Sequence, residues 1–335
     1  MAADVTRADI MAADVTRTNV TSPDVTRSNA SGYDTGDVSP PNAGGARDGG
    51  GGDVRVADSY LAVPVSAWGV RYFLVTLQSR PAVHLVTADD STGIQVVLRS
   101  SEPALFALKY LAKTYRNGDT LHIRLGRWQV LPLFDCWNNT YAGDVTGTII
   151  TSTMPVGVTS GRCVTCEGDA GIVFTTQEML LPAATYGWNF VLVTDLDQMD
   201  TTLVTVVTSE NLTLIGLWLE DSNDVSTWIT NTGDMLQVNL TSRPRLLSST
   251  KPVLVTVALQ VRCQGSSVAM GTPTLILPTS LFYNTYLWRP LTNCSVQVRC
   301  HVTFVVEREV AATLVLDHVH VTSGWVEWTV GTLTS

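Results

Sequence analysis

Charge is scarce in this chain. Of 335 residues only 15% are Asp, Glu, Lys or Arg, against 45% hydrophobic, and mean hydropathy is +0.17. So sparse a charge fits a body whose faces are covered by other subunits. The six cysteines (136, 163, 166, 263, 294 and 300) are too few for a disulfide scaffold in a chain this long. No apolar run reaches about 18 residues, and no charged-then-apolar leader opens the sequence. The expectation is a soluble protein made in the cytosol. Six Asn-x-Ser/Thr triplets (Asn19, Asn29, Asn138, Asn211, Asn239, Asn293) would matter only in a secreted chain. Catalytic signatures are also missing: no Gly-x-Ser-x-Gly elbow, no His-Glu-x-x-His and no phosphate-binding Gly-x-x-x-x-Gly-Lys-Ser/Thr.

What is present begins with an arm. Asp-Val-Thr-Arg recurs at 4–7, 14–17 and 24–27, in a ten-residue polar repeat that no packed domain requires. Pro40-Pro41, Gly44-Gly45 and Gly49 to Gly52 follow, and this density of breakers makes residues 31–53 a linker. Residues 1–58 hold nine Asp, five Arg, and no Lys or Glu, for a net charge of −4. An arm that neutralises phosphates needs clustered cations, so this is not an RNA-binding tail. With almost no large apolar side chains, the repeats order only when laid against a partner surface.

From Tyr60 the texture is β. Runs such as 71–77, 83–87, 95–99, 120–125, 146–153, 189–194, 202–207, 212–219, 235–240, 253–262, 296–307 and 313–322 are rich in Val, Ile, Thr and aromatics. Turn residues separate them, as at Asn117-Gly118-Asp119 and Asn231-Thr232-Gly233-Asp234. One helix is predicted over 103–114, from a proline near its start and apolar residues at helical spacing. Many strands and almost no helix predict a sandwich or barrel. Residues 59–335 are read as one body, or as two lobes divided near 196–224.

Residues 110–155, with the preceding helix, Tyr115 and Gly118, the strand-like 121–125, and Gly147 to Pro155, resemble a stretch of the picorna-like icosahedral capsid proteins. The tryptophan usual before the glycine is replaced by Tyr115, and the likeness covers under a sixth of the chain. The resemblance implies an all-β, antiparallel jelly-roll β-sandwich with a long flexible N-terminal arm, and a role in the virion. It implies self-assembly with other coat subunits into an icosahedral shell around RNA, with weak genome contact and a host receptor as a further partner. No membrane insertion is expected.

Individual candidates carry less. Cys163 and Cys166 have the spacing of two zinc ligands, but a structural site needs four, so incidental thiols are the plainer reading. Asp195, Asp197 and Asp200 could gather a hard cation, yet they lack the glycine and distal glutamate of a calcium loop, so they read as a solvated turn. The histidines (84, 122, 301, 318, 320) lie mostly in strand-like runs, where a general base is unusual. The nine tryptophans read as core and interface packing. No catalytic residue, cofactor or metal is assigned. The rival readings are a secreted or surface β-sandwich that binds carbohydrate or protein, and an enzyme whose triad is dispersed in sequence.

Overall fold

The computed structural model describes residues 8–14, 62–77, 80–134, 143–165, 173–193, 202–218, 225–240, 244–262, 268–270, 273–286, 301–307, 313–316, 319–320 and 325–330. The rest of the arm lies outside these residues. In chain order the strands are β1 (Ala8–Asp14), β2 (Gly69–Phe73), β3 (Pro81–Thr87), β4 (Thr92–Val97), β5 (Leu108–Tyr110), β6 (Lys113–Tyr115), β7 (Thr120–Leu125), β8 (Val130–Phe134), the long β9 (Ile149–Thr165) and β10 (Val173–Met179). A second run comprises β11 (Gly187–Leu192), β12 (Thr202–Thr208), β13 (Thr213–Trp218), β14 (Val225–Ile229), β15 (Met235–Leu240), the long β16 (Arg245–Arg262), β17 (Val268–Met270) and β18 (Thr274–Ile276). Last come β19 (His301–Glu307), β20 (Val315–Leu316), β21 (Val319–His320) and β22 (Trp325–Val330). The chain is all-β and antiparallel, its sheets curled into half-barrels, as the composition and punctuation require.

Two of the sheets are copies of one design. The first has strand order β7-β4-β9-β3-β8, with β2 and β10 also paired to β9. The second has β14-β13-β16-β12-β15, with β11, β17 and β18 also paired to β16. The irregularities repeat too. Ladder slips fall between Gly69 and Arg71, and between Gly187 and Asn189. Ser91 and Leu212 take the left-handed conformation at φ 54° and 53°. The following Thr92 and Thr213 each donate a hydroxyl three residues back, to Asp89 O (3.1 Å) and Glu210 O (2.9 Å). Gly93 N–H donates to Thr153 Oγ1, and Leu214 N–H to Thr250 Oγ1, both at 3.0 Å. So many shared local faults in one order identify an internal duplication.

Each copy opens on a proline-led 3-10 turn, 65–67 after Pro64 and 183–185 after Pro182, and a third such turn, 279–281, follows Pro278. In the third, Tyr283 N–H donates to Tyr286 Oη at 2.8 Å, as Gly69 N–H does to Tyr72 Oη at 2.8 Å. Successive openings are latched. A Cβ on Gly69 would stand 2.3 Å from Pro182 Cβ, and one on Gly187 would stand 2.4 Å from Pro278 Cβ. Glycine is therefore required where the next unit's proline seats.

Each unit has its own core, one around Tyr72, Leu85, Val96, Leu121 and Ile150, the other around Phe190, Val204, Ile215 and Val255. Phe73, Val75, Leu77, Tyr186, Val207 and Leu254 form a third cluster that joins them. Nearby, Asp144 is buried and accepts from Thr76 Oγ1 (2.8 Å), Thr146 Oγ1 (2.6 Å) and Thr146 N–H (2.9 Å), which satisfies its carboxylate. Arg99 bridges to Asp234 of the second unit at 2.7 Å.

The helix predicted over 103–114 does not form. β5 and β6 pair as a small hairpin whose turn holds Leu111 and Ala112 at φ 45° and 62°. Phe106 and Leu108 are buried while Leu111 is 84% exposed, so alternate burial at this sheet edge outweighed local helix propensity. Without that helix, the lead element of the 110–155 pattern is gone, and its remainder is ordinary β-turn punctuation.

Burial raises the pKa of both Tyr72 and Tyr186. A raised folded value favours the protonated phenol in the fold. The resulting stability is complete below pH 10 and is lost as pH rises toward the folded values. Thermal melts should therefore fall in midpoint as pH rises above 10. A midpoint flat from pH 9 to 11.5 would contradict this.

Candidate interaction site

The duplicated frame presents the same three-strand outer face twice, with different chemistry. On the first sheet, Gln95 of β4 lies opposite His122 of β7 and Thr151 of β9, and Gly93 lies opposite Arg124. Gln95, His122 and Arg124 are exposed, while the intervening Ile94 and Ile123 point inward and are buried. Strand alternation forces that division. Together with Ser152 these residues border an open concavity of 460 Å³.

On the second sheet, Gly216 stands where Gln95 does, opposite Ser226 and Ser248, and Leu214 lies opposite Trp228. Trp228 therefore occupies the place of Arg124, and it is 61% exposed. The Trp218 ring folds back over Gly216, where an added Cβ would meet it at 3.4 Å. Its indole N–H donates to Ser248 Oγ at 3.1 Å. The glycine thus lets a 44%-exposed tryptophan lie against the sheet. One unit offers a cation and hydrogen-bonding groups, and the next offers two indoles. Arginine and tryptophan are the side chains that most often dominate protein–protein contacts.

The sequence candidates fare unevenly. Cys163 is disulfide-bonded, which displaces the reading of incidental thiols, and it is the one cysteine within the described residues. Cys166 and the Asp195, Asp197, Asp200 turn lie outside them. His84 is a packed polar residue, its Nδ1 2.8 Å from Gln177 Nε2 and 3.3 Å from Thr159 Oγ1. His318 lies outside the described residues, and His301 and His320 lie in β19 and β21. Trp68 packs on Gly157 and donates its indole N–H to Val63 O at 2.9 Å, a structural role. Among the described residues no three His, Cys, Asp or Glu side chains converge on a metal-sized site. The sequence reading missed the duplication, although Pro64-x-x-x-Trp68-Gly69 and Pro182-x-x-x-Tyr186-Gly187 announce it, with Pro278-x-x-x-Phe282 as a third instance.

In comparison with known families, the model for IgGFc binding protein matches residues 58–334. No curated protein and no solved structure matches the chain. The match overturns the capsid resemblance and what followed from it: shell assembly with copies of itself and other coat subunits, RNA enclosure, a receptor-binding coat and a virion location. Physically, the short 110–155 pattern was carried by turn and strand signals common to β proteins, whereas the family match spans the whole body. Low surface charge was likewise a general property of a contact-making β protein. The expectation of a virion subunit made in the host cytosol falls with the same match. Outside its repeat-bearing arm, this chain belongs to the IgGFc binding protein family.

Proposed function

We propose that the chain is an extracellular or surface-displayed binding module whose target is a protein, the Fc region of immunoglobulin G. The carrying observation is the family match over nearly the entire body. The Cys163 disulfide supports a location outside the reducing cytosol. The module works by contact and not by catalysis. Trp218, Trp228 and Arg124, on outer faces held rigid by the long central strands, supply the anchors, and neighbouring Ser and Gln side chains supply adaptable hydrogen bonds.

Surface plasmon resonance over immobilised IgG Fc tests this. Saturable binding by the oxidised chain is the expected result. Trp228→Ala should weaken it by roughly tenfold or more, and Arg124→Ala by less if it sits at the rim. Absence of binding by the folded, oxidised chain up to about 1 mM, the weak limit of specific recognition, would contradict the proposal.

A further inference from the structure

The third proline-led opening begins a unit that the described residues do not complete by themselves. In the first two units, the second strand after the opening pairs antiparallel with a long central strand: β3 with β9, and β12 with β16. β19 is the counterpart of these in the third, its Val302-Thr303-Phe304-Val305 answering Val204-Thr205-Val206-Val207 of β12. The sequence correspondence continues beyond it, with Thr313 to Val330 matching Thr213 to Thr230 in length and in the positions of Thr-Leu and of a strand at the end. Yet among the described residues of 278–335 no long central strand accompanies β19. β19 pairs instead with β1, from the arm.

We propose that residues Ala8–Asp14 are a donor strand: they lie between β19 and β22 and make the cleft between those two strands a strand-acceptor site. The ladder runs along both sides. All seven residues of β1 pair antiparallel with β19, from Ala8 opposite Glu307 to Asp14 opposite His301. On the other side β1 pairs with β22, from Ala8 opposite Val330 to Ala13 opposite Trp325. β1 thus covers one edge of β19 and one edge of β22, each of which would otherwise template promiscuous pairing.

The arm's repeat gives the donor a defined register. The segment one repeat downstream, residues 18–24, contains Pro23, which has no N–H to give and does not belong in a strand paired on both sides. Residues 8–14 contain no proline or glycine. Unable to form a core alone, the arm acquires order over residues 8–14 by pairing with β19 and β22.

Hydrogen exchange on the full-length chain tests this, comparing the unaltered protein with Ile10→Pro and, as a conservative control, Ile10→Val. Ile10 lies opposite both Val305 and Trp328, so proline there removes a ladder donor at the centre of the strand. The expected result is exchange roughly tenfold or more faster at amides 301–307 and 325–330 in Ile10→Pro alone, with 149–165 and 245–262 unchanged. A synthetic peptide of residues 6–16, added to the Ile10→Pro chain, should restore slow exchange, and the same peptide carrying proline at position 10 should not. Equal exchange at 301–307 in all three chains, or failure of the peptide to restore protection, would overturn the proposal.

Discussion

Gly147→Ala should destabilise the protein by about 3 kcal/mol or more, a drop readable as a lower midpoint in urea unfolding. Gly147 sits at φ +86°, where a side chain is already strained, and a Cβ there would fall 1.9 Å from the carbonyl oxygen of Gly233. That oxygen is backbone and cannot rotate aside. Gly233 is itself held at φ +80°, beside the Arg99–Asp234 bridge, so neither turn has slack to absorb the intrusion. The two glycines are where the first unit's turn meets the second unit's turn. The substitution therefore separates the units and exposes the shared cluster of Phe73, Tyr186, Val207 and Leu254. A midpoint shift no larger than that of Gly118→Ala would show that the seam does not bear on stability. Gly118 is the matched control, since it shares the +86° conformation but has open space around it.

Cys163→Ser, or reduction of the unaltered chain, should cost about 2–4 kcal/mol. Cys163 is buried beside Ala82, and its N–H donates to Arg80 O at 2.8 Å, so it ties the far end of β9 to the start of β3. Losing the cross-link removes its constraint on the unfolded chain. The matching measurement is the urea midpoint with and without a thiol reductant. Cys163→Ser should lower it and remove most of the further effect of reductant. A midpoint unchanged by both treatments would mean that the cross-link does not stabilise this fold.

Strand positions were legible because burial on one face writes a period of two into the sequence. β7 shows this, with Leu121, Ile123 and Leu125 inward and His122 and Arg124 outward. The 120–125, 202–207 and 235–240 runs match their strands to within a residue. Strand partnership was not legible. Pairing in these sheets is between residues far apart in sequence, and β9 and β16 each serve several partners along 17 and 18 residues. The helix at 103–114 failed for a related reason, since helical spacing and sheet-edge alternation coincide over so short a run and only tertiary burial separates them.

The duplication left a readable trace, the proline-led turn before an aromatic residue and glycine. It was obscured because strand residues drift freely among Val, Ile, Leu and Thr, while only the proline and glycine at the latch are sterically fixed. The interaction face was hidden more deeply. Trp218 and Trp228 look like core residues in sequence, and nothing local states that Gly216 clears room for an indole on the outside of the sheet. Arg124 and Trp228 occupy one position of the repeated frame, and that equivalence appears only once the two strand orders are superposed.

Hydrogen exchange of the oxidised full chain, with and without saturating IgG Fc, tests the central claim most directly. The prediction is slowed exchange on binding at residues 213–218 and 225–229, extending to 92–97 and 120–125, with the 149–165 interior unchanged. Slowed exchange confined to other segments, or none at any segment at saturating Fc, would contradict it.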